Sequence, residues 1–234
     1  MDYEYCDKQF DDILNKFTLH RLPWLPWIGD KYKDSANRLM IVGESHYGNW
    51  RTGWDANSSM AQLKDPNFTR FVVKTQALNC QATGKMYRNL ERVIFNKTYP
   101  ADEKKEKLWR SVCYHNLILK PMENIKHRPT WENYLEGWGV FFDLMEVLKP
   151  TRCLVAGSSQ INLNSFQIVA DQRNAKISER IQSDKISGTH GEKLDVNSDK
   201  LSFRLVFIMH PSGRNFSWFK WHPFTSNFIP NPFI

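Results

Sequence analysis

Leu39-Met40-Ile41-Val42-Gly43-Glu44-Ser45-His46-Tyr47-Gly48 opens with four apolar residues and breaks at a glycine into polar ones. An unbroken apolar run reads as a strand buried on both faces, the kind found in parallel sheets covered by helices; a half-solvated strand would alternate instead. Three further segments repeat the form. Cys153-Leu-Val-Ala156 is followed by Gly157, Leu205-Val-Phe-Ile-Met209 by His210-Pro211, and the run from Val112 to Leu119 is interrupted by Tyr114, His115 and Asn116. Helical patterns lie between these runs. The clearest begins after Thr130, a good N-cap, and places Trp131, Leu135, Trp138, Phe142, Met145 and Leu148 on one stripe before Pro150 stops it. Further helices are expected over residues 2–17, 68–77, 87–95 and 160–170. Strand alternating with helix predicts a three-layer α/β/α domain.

The 234 residues carry 32 Lys and Arg against 25 Asp and Glu, a formal charge of +7 that favours a polyanionic partner. Length and apolar content suit one domain over residues 1–234, expected to be monomeric. No stretch approaches the roughly 18 apolar residues of a membrane span. The acidic amino terminus, Met1 to Asp7, lacks a signal-peptide core, so the reading is cytoplasmic. Cys6, Cys80, Cys113 and Cys153 are scattered, which points to reduced, mostly buried thiols. Residues 177–200 turn polar and read as a surface loop or hairpin before the last strand, and the charges of residues 102–107 read as a solvated helix face.

Ligands of open parallel sheets bind at the carboxyl ends of the strands. Three of the four expected strands deliver polar residues there: Gly43-Glu44-Ser45-His46-Tyr47-Gly48 after the first, Asn116 on the second, and His210-Pro211-Ser212-Gly213 after the fourth. Each has a plain structural use, as a capping turn, a loop hydrogen bond or a buried amide bonded to backbone. Their convergence favours a binding pocket, since burying a primary amide without a partner costs on the order of 1–3 kcal/mol. His46, His115, His210 and Glu44 include metal-ligand types, but no recognised ligand spacing is present, so neither metal nor cofactor is expected. Gly157-Ser158-Ser159 lacks the spacing of a nucleophile elbow and reads instead as a helix start able to hold a phosphate.

The Gly43 to Gly48 turn, the strand Tyr114-His115-Asn116-Leu117-Ile118-Leu119-Lys120-Pro121, the strand from Lys149 to Gly157 and His210-Pro211-Ser212 together resemble the uracil-DNA glycosylase superfamily, over about residues 37–219. The resemblance implies a four-stranded parallel sheet in the order 2-1-3-4 between helices, with the active site at the strands' carboxyl ends. It implies that Asn116 reads the base edge, that His210 stabilises negative charge on the departing base, and that Tyr47 crowds the pyrimidine 5-position. Ser45 stands where one branch of the family has a water-activating aspartate, and His46 where it has a proline.

Breaking an N-glycosidic bond puts positive character on the sugar and negative charge on the base, so both need stabilising. Glu44 is the only carboxylate of the first turn and the natural candidate to orient water or face the cationic sugar, with His46 as reserve base. A base in duplex DNA must be flipped out, and Ser158, Ser212, Arg214 and Asn215 are candidates to hold the strand. Phe216 or Trp218 would wedge into the vacated stack, unless these aromatics form a terminal helix on the sheet. Trp24 and Trp27 read as anchors of the amino-terminal segment. The expected activity is a monofunctional DNA glycosylase for a damaged or modified base; residues 48–63 offer room for a base other than uracil. Two alternatives stay open: a protein on the same fold that binds nucleic acid or nucleotide without cleaving it, and a hydrolase of a small nucleotide.

Overall fold

The apolar runs that open the sequence argument do become neighbouring strands. A computed structural model describes residues 3–17, 22–48, 62–78, 84–124 and 126–229. Strands β2 (Leu39–Gly43), β3 (Val112–Asn116), β4 (Arg152–Ala156) and β7 (Ser202–Ile208) are parallel and stand in the order β3-β2-β4-β7. Numbered along the chain as the four expected strands, that order is 2-1-3-4.

The sheet has seven strands, which corrects the expected four. A short β1 (Trp27–Ile28) pairs antiparallel with β3 at one edge. At the other, β6 (Glu192–Asn197) pairs antiparallel with β7, and β5 (Lys176–Gln182) with β6. The polar stretch before the last strand is thus a hairpin that extends the sheet. Its β6 alternates, burying Glu192, Leu194 and Val196 while Lys193, Asp195 and Asn197 face outward. Arg180 and Gln182 of β5 both bond the buried Glu192 carboxylate.

Alternate residues of the central strands enter two cores, which gives the three layers. Met40, Val42, Cys113, Val155 and Phe207 pack against α5 (Trp131–Leu148) and α6 (Gln160–Gln172). Leu39, Ile41, Tyr114, Leu154, Val206 and Ile208 pack against α3 (Lys85–Phe95), α4 (Asp102–Ser111) and α7 (Trp218–Ser226). Thr130 caps α5 in a reciprocal pair with Asn133. The first expected helix is shorter than its pattern, forming only α1 (Asp11–Phe17). The chain before it adopts a left-handed turn at Tyr5 and bridges Cys6 to Gly29. In α2 (Phe68–Val73) the helix loosens into a π-helical turn, Lys74–Leu78, where the Thr75 hydroxyl bonds back to the carbonyls of Phe71 and Val72. Trp24 and Trp27 are buried, their indole N–H groups donating to the Leu63 and Trp109 carbonyls. Cys6, Cys113 and Cys153 are free thiols, and Cys80 lies outside the described residues. Among the described residues no helix is long and apolar enough to cross a membrane.

Candidate functional site

Gly43 and Asn116 are register partners at the carboxyl ends of β2 and β3, and His210 follows the end of β7. Above these ends opens a cleft of about 260 Å³. Ser45, His46, Tyr47, Asn116, His210 and Ser212 line its polar side; Phe68, Val72, Met86 and Tyr87, from α2 and α3, line its apolar wall. Expected site residues from three strand ends are therefore brought together, while Gly43 and Glu44 are not among the lining residues.

Asn116 is 2% exposed, yet its amide is not fully spent inside the protein. Tyr114, two residues earlier and on the same face, donates its hydroxyl proton to Asn116 Oδ1 at 2.7 Å, which leaves Nδ2 to the cleft. The arrangement depends on glycine at 43. A Cβ there would lie 2.1 Å from Asn116 Oδ1 and 2.2 Å from the Tyr114 hydroxyl.

His210 is held in one tautomer. The Ser212 backbone N–H donates to its Nδ1 at 3.3 Å, and Ser212 Oγ lies 2.8 Å from the same nitrogen. Nδ1 is then the acceptor, so the neutral ring carries its proton on Nε2. Burial pushes the His210 pKa down from its ordinary value; the Glu44 carboxylate pulls it up and the Arg128 guanidinium pushes it down. The loop is tied to α3, because Asn89 Nδ2 donates to the Pro211 carbonyl at 2.7 Å and Lys85 Nζ to that of Gly213 at 3.0 Å.

Glu44 is not among the residues that line the cleft, but it lies against one of them, Tyr47. It is 7% exposed, and its Oε1 accepts from Arg128 Nη2 at 2.7 Å and from the Tyr134 hydroxyl at 2.8 Å. The Tyr47 hydroxyl reaches its Oε2 at 3.4 Å. This carboxylate acts on the site through its field at His210. His46 lines the cleft, but its ring is wedged edge-on between Trp24 and Phe68, and its Nε2 hydrogen-bonds Thr69 Oγ1 at 2.9 Å. Burial, with a smaller effect of nearby His115, pushes its pKa down to about 3, so it is a neutral and poor base. Ser45 Oγ is enclosed without a hydrogen-bond partner among the described residues. So are both ring nitrogens of His115, which sits on β3 facing the other core.

Arg214 and Asn215 are exposed on the chain after His210, where they were expected. Ser158 precedes α6, whose N-cap is Ser159, and Gly157 turns the chain there at φ +140°. Of the two readings for the wedge candidates, the structure shows packing: Phe216 stacks on buried Trp221, and Trp218 of α7 packs against the second core, whereas Phe219 in the first turn of α7 is 56% exposed. The segment expected to make room for a larger base lies, but for its ends, outside the described residues. Sequence reasoning missed Arg128, Lys85 and Tyr134, which reach the site from distant segments. Tyr114 carried a signal, since it shares a face with Asn116 at a spacing of two. Among the described residues no group of three or more histidines, cysteines or carboxylates is placed to hold a metal ion. No protein-family model matches this chain, and no curated protein matches it as a relative.

Proposed function

We propose that the chain is a DNA glycosylase of the uracil-DNA glycosylase superfamily, a monomeric cytoplasmic enzyme that flips a damaged or modified base into the cleft and hydrolyses its N-glycosidic bond. The observation that carries this reading is one cleft holding two donors, Asn116 Nδ2 at the carboxyl end of β3 and His210 Nε2–H after β7, the two outer strands of the parallel core. Asn116 grips the base edge. His210 donates to charge developing on the departing base, in the manner of an oxyanion hole. The strand order 2-1-3-4 within the parallel core, the +7 charge and the exposed Arg214 and Asn215 support the same reading.

Water is the nucleophile in this proposal, so no covalent intermediate forms with the protein. Lys85 lines the cleft, with its ammonium on the Gly213 carbonyl. A lysine nucleophile would leave a Schiff base that borohydride traps on DNA, and such an adduct would overturn the monofunctional assignment. The deciding experiment is a panel of oligonucleotides, each with one altered base, incubated with protein and cleaved by alkali at abasic sites. Cleavage at one class of base is the expected result.

The engagement of Glu44 with Arg128 and Tyr134, together with serine at 45, favours a second reading: a protein that binds a flipped base without cleaving it. Tight binding to one oligonucleotide of the panel with no abasic product would establish that alternative.

A further inference from the structure

We propose that Tyr114 is a positioning residue for base recognition: its hydroxyl, by donating to Asn116 Oδ1, turns the amide so that Nδ2 faces the cleft and selects a base edge presenting an acceptor atom. The inference rests on the glycosylase reading of the cleft, and it names which half of the asparagine amide does the reading.

A primary amide has two chemically opposite ends of nearly the same shape, and an asparagine free to rotate would offer a donor or an acceptor equally. Here one end is committed. Tyr114 is 1% exposed, and its hydroxyl reaches Asn116 Oδ1 at 2.7 Å. The tyrosine is itself immobilised: its ring lies 5.6 Å from that of Tyr87 and 6.2 Å from that of Trp109, centroid to centroid. Burial is the leading cause of a pKa held well above the ordinary value, so the hydroxyl stays protonated. Gly43 leaves room above β2 for both groups at once. With Oδ1 turned to Tyr114 and one of its two lone pairs taken, the group that Asn116 gives the cleft is the Nδ2 donor. His210 Nε2–H is a second donor lining the same cleft, so a base that fits must offer acceptors to both. A carbonyl oxygen or an unprotonated ring nitrogen meets that need.

The test is a double-mutant cycle on Tyr114→Phe and Asn116→Ala, read by single-turnover base excision, affinity for the same oligonucleotide and melting temperature. Losing one neutral hydrogen bond that orients the amide is expected to slow excision roughly five- to tenfold in Tyr114→Phe. In the Asn116→Ala background the same change is expected to do nothing further. Asn116→Asp keeps an acceptor for Tyr114 but loses the N–H, so it is expected to excise as poorly as Asn116→Ala. Equal effects of Tyr114→Phe in both backgrounds would overturn the proposal, as would a fully active Asn116→Asp.

A readout without catalysis separates this proposal from the reading beneath it. In the free protein the bonded Tyr114 hydroxyl should give a slowly exchanging proton resonance that shifts in Asn116→Ala; its absence from a folded protein would overturn the hydrogen bond whatever the activity. If the resonance is present but wild-type protein removes no base from the panel, the glycosylase reading falls, and the role in excision falls with it.

Discussion

Arg128 Nη2 lies 2.7 Å from Glu44 Oε1, and the two ends of this pair act on His210 in opposite senses. The carboxylate favours the protonated imidazole, the guanidinium the neutral one. If excision needs neutral His210 with its proton on Nε2, the rate falls on the acid side as the ring protonates. Arg128→Ala should move that limb to higher pH, and Glu44→Gln should move it to lower pH. A pH–rate profile for each variant checks this; shifts of the same sign would remove Glu44 and Arg128 from the electrostatics of the site.

His210 carries the larger test. If its Nε2–H stabilises charge on the departing base, His210→Ala should cut the single-turnover rate by roughly 10²–10³ while leaving DNA affinity almost unchanged, because the interaction strengthens in the transition state. Ser212→Ala should act more mildly and raise the acid limb, since Ser212 Oγ sits 2.8 Å from the nitrogen that must stay unprotonated. A folded His210→Ala protein that excises at the wild-type rate would end the proposed mechanism.

The four central strands were legible because burial on both faces leaves an apolar run that no other element shares, and Gly43, Asn116 and His210 mark the ends of three. The segment β5-β6 was legible only as a loop or hairpin and not as two further strands of the sheet: its charged residues alternate with apolar ones at an edge, and Arg180 and Gln182 bond the buried Glu192 across the hairpin. Glu44 was found as a residue, but the groups that hold it were not. Its partners Arg128 and Tyr134 lie 84 and 90 residues away in the chain, a separation no local pattern bridges. Asn116 was read as a buried amide seeking a partner, and half of that partner is Tyr114, two places before it on the same face.

Arg70, 1% exposed, joins α2 to α1 through both oxygens of Asp11, at 2.9 and 2.5 Å, and donates from Nε to the Pro26 carbonyl. Removing Asp11 strands a buried guanidinium. Asp11→Ala should therefore cost about 3 kcal/mol, the lower end for breaking a buried pair, since Asp11 keeps some solvent contact. Replacing both residues, Asp11→Ala with Arg70→Met, should recover most of that loss, because the desolvated charge goes with its partner. Denaturant unfolding of the three variants checks the order; a double variant no better than Asp11→Ala would show that the ion pair itself stabilises the fold.

Glu91 on α3 gives the fold a pH dependence with a definite sign. It is 4% exposed, accepts from Trp109 Nε1 at 2.9 Å, and burial pushes its carboxyl from 4.5 up to about 7; the Trp109 bond and Lys105 oppose the rise. Below pH 4.5 the group is protonated folded or unfolded and costs nothing. Between there and about 7 the unfolded chain releases the proton while the native one keeps it, so stability falls as pH rises, by about 3 kcal/mol at most. Glu91→Gln keeps an acceptor for Trp109 and removes the titration. Its melting temperature should exceed that of wild type at pH 8, and the gap should close toward pH 4.5. His46 and His115, each pushed down to about 3 with burial the leading cause, destabilise the fold at acid pH in both proteins and so cancel in the difference. A gap that stays constant from pH 4.5 to 8 would mean that Glu91 does not titrate with folding, and that the glutamine acts through packing alone.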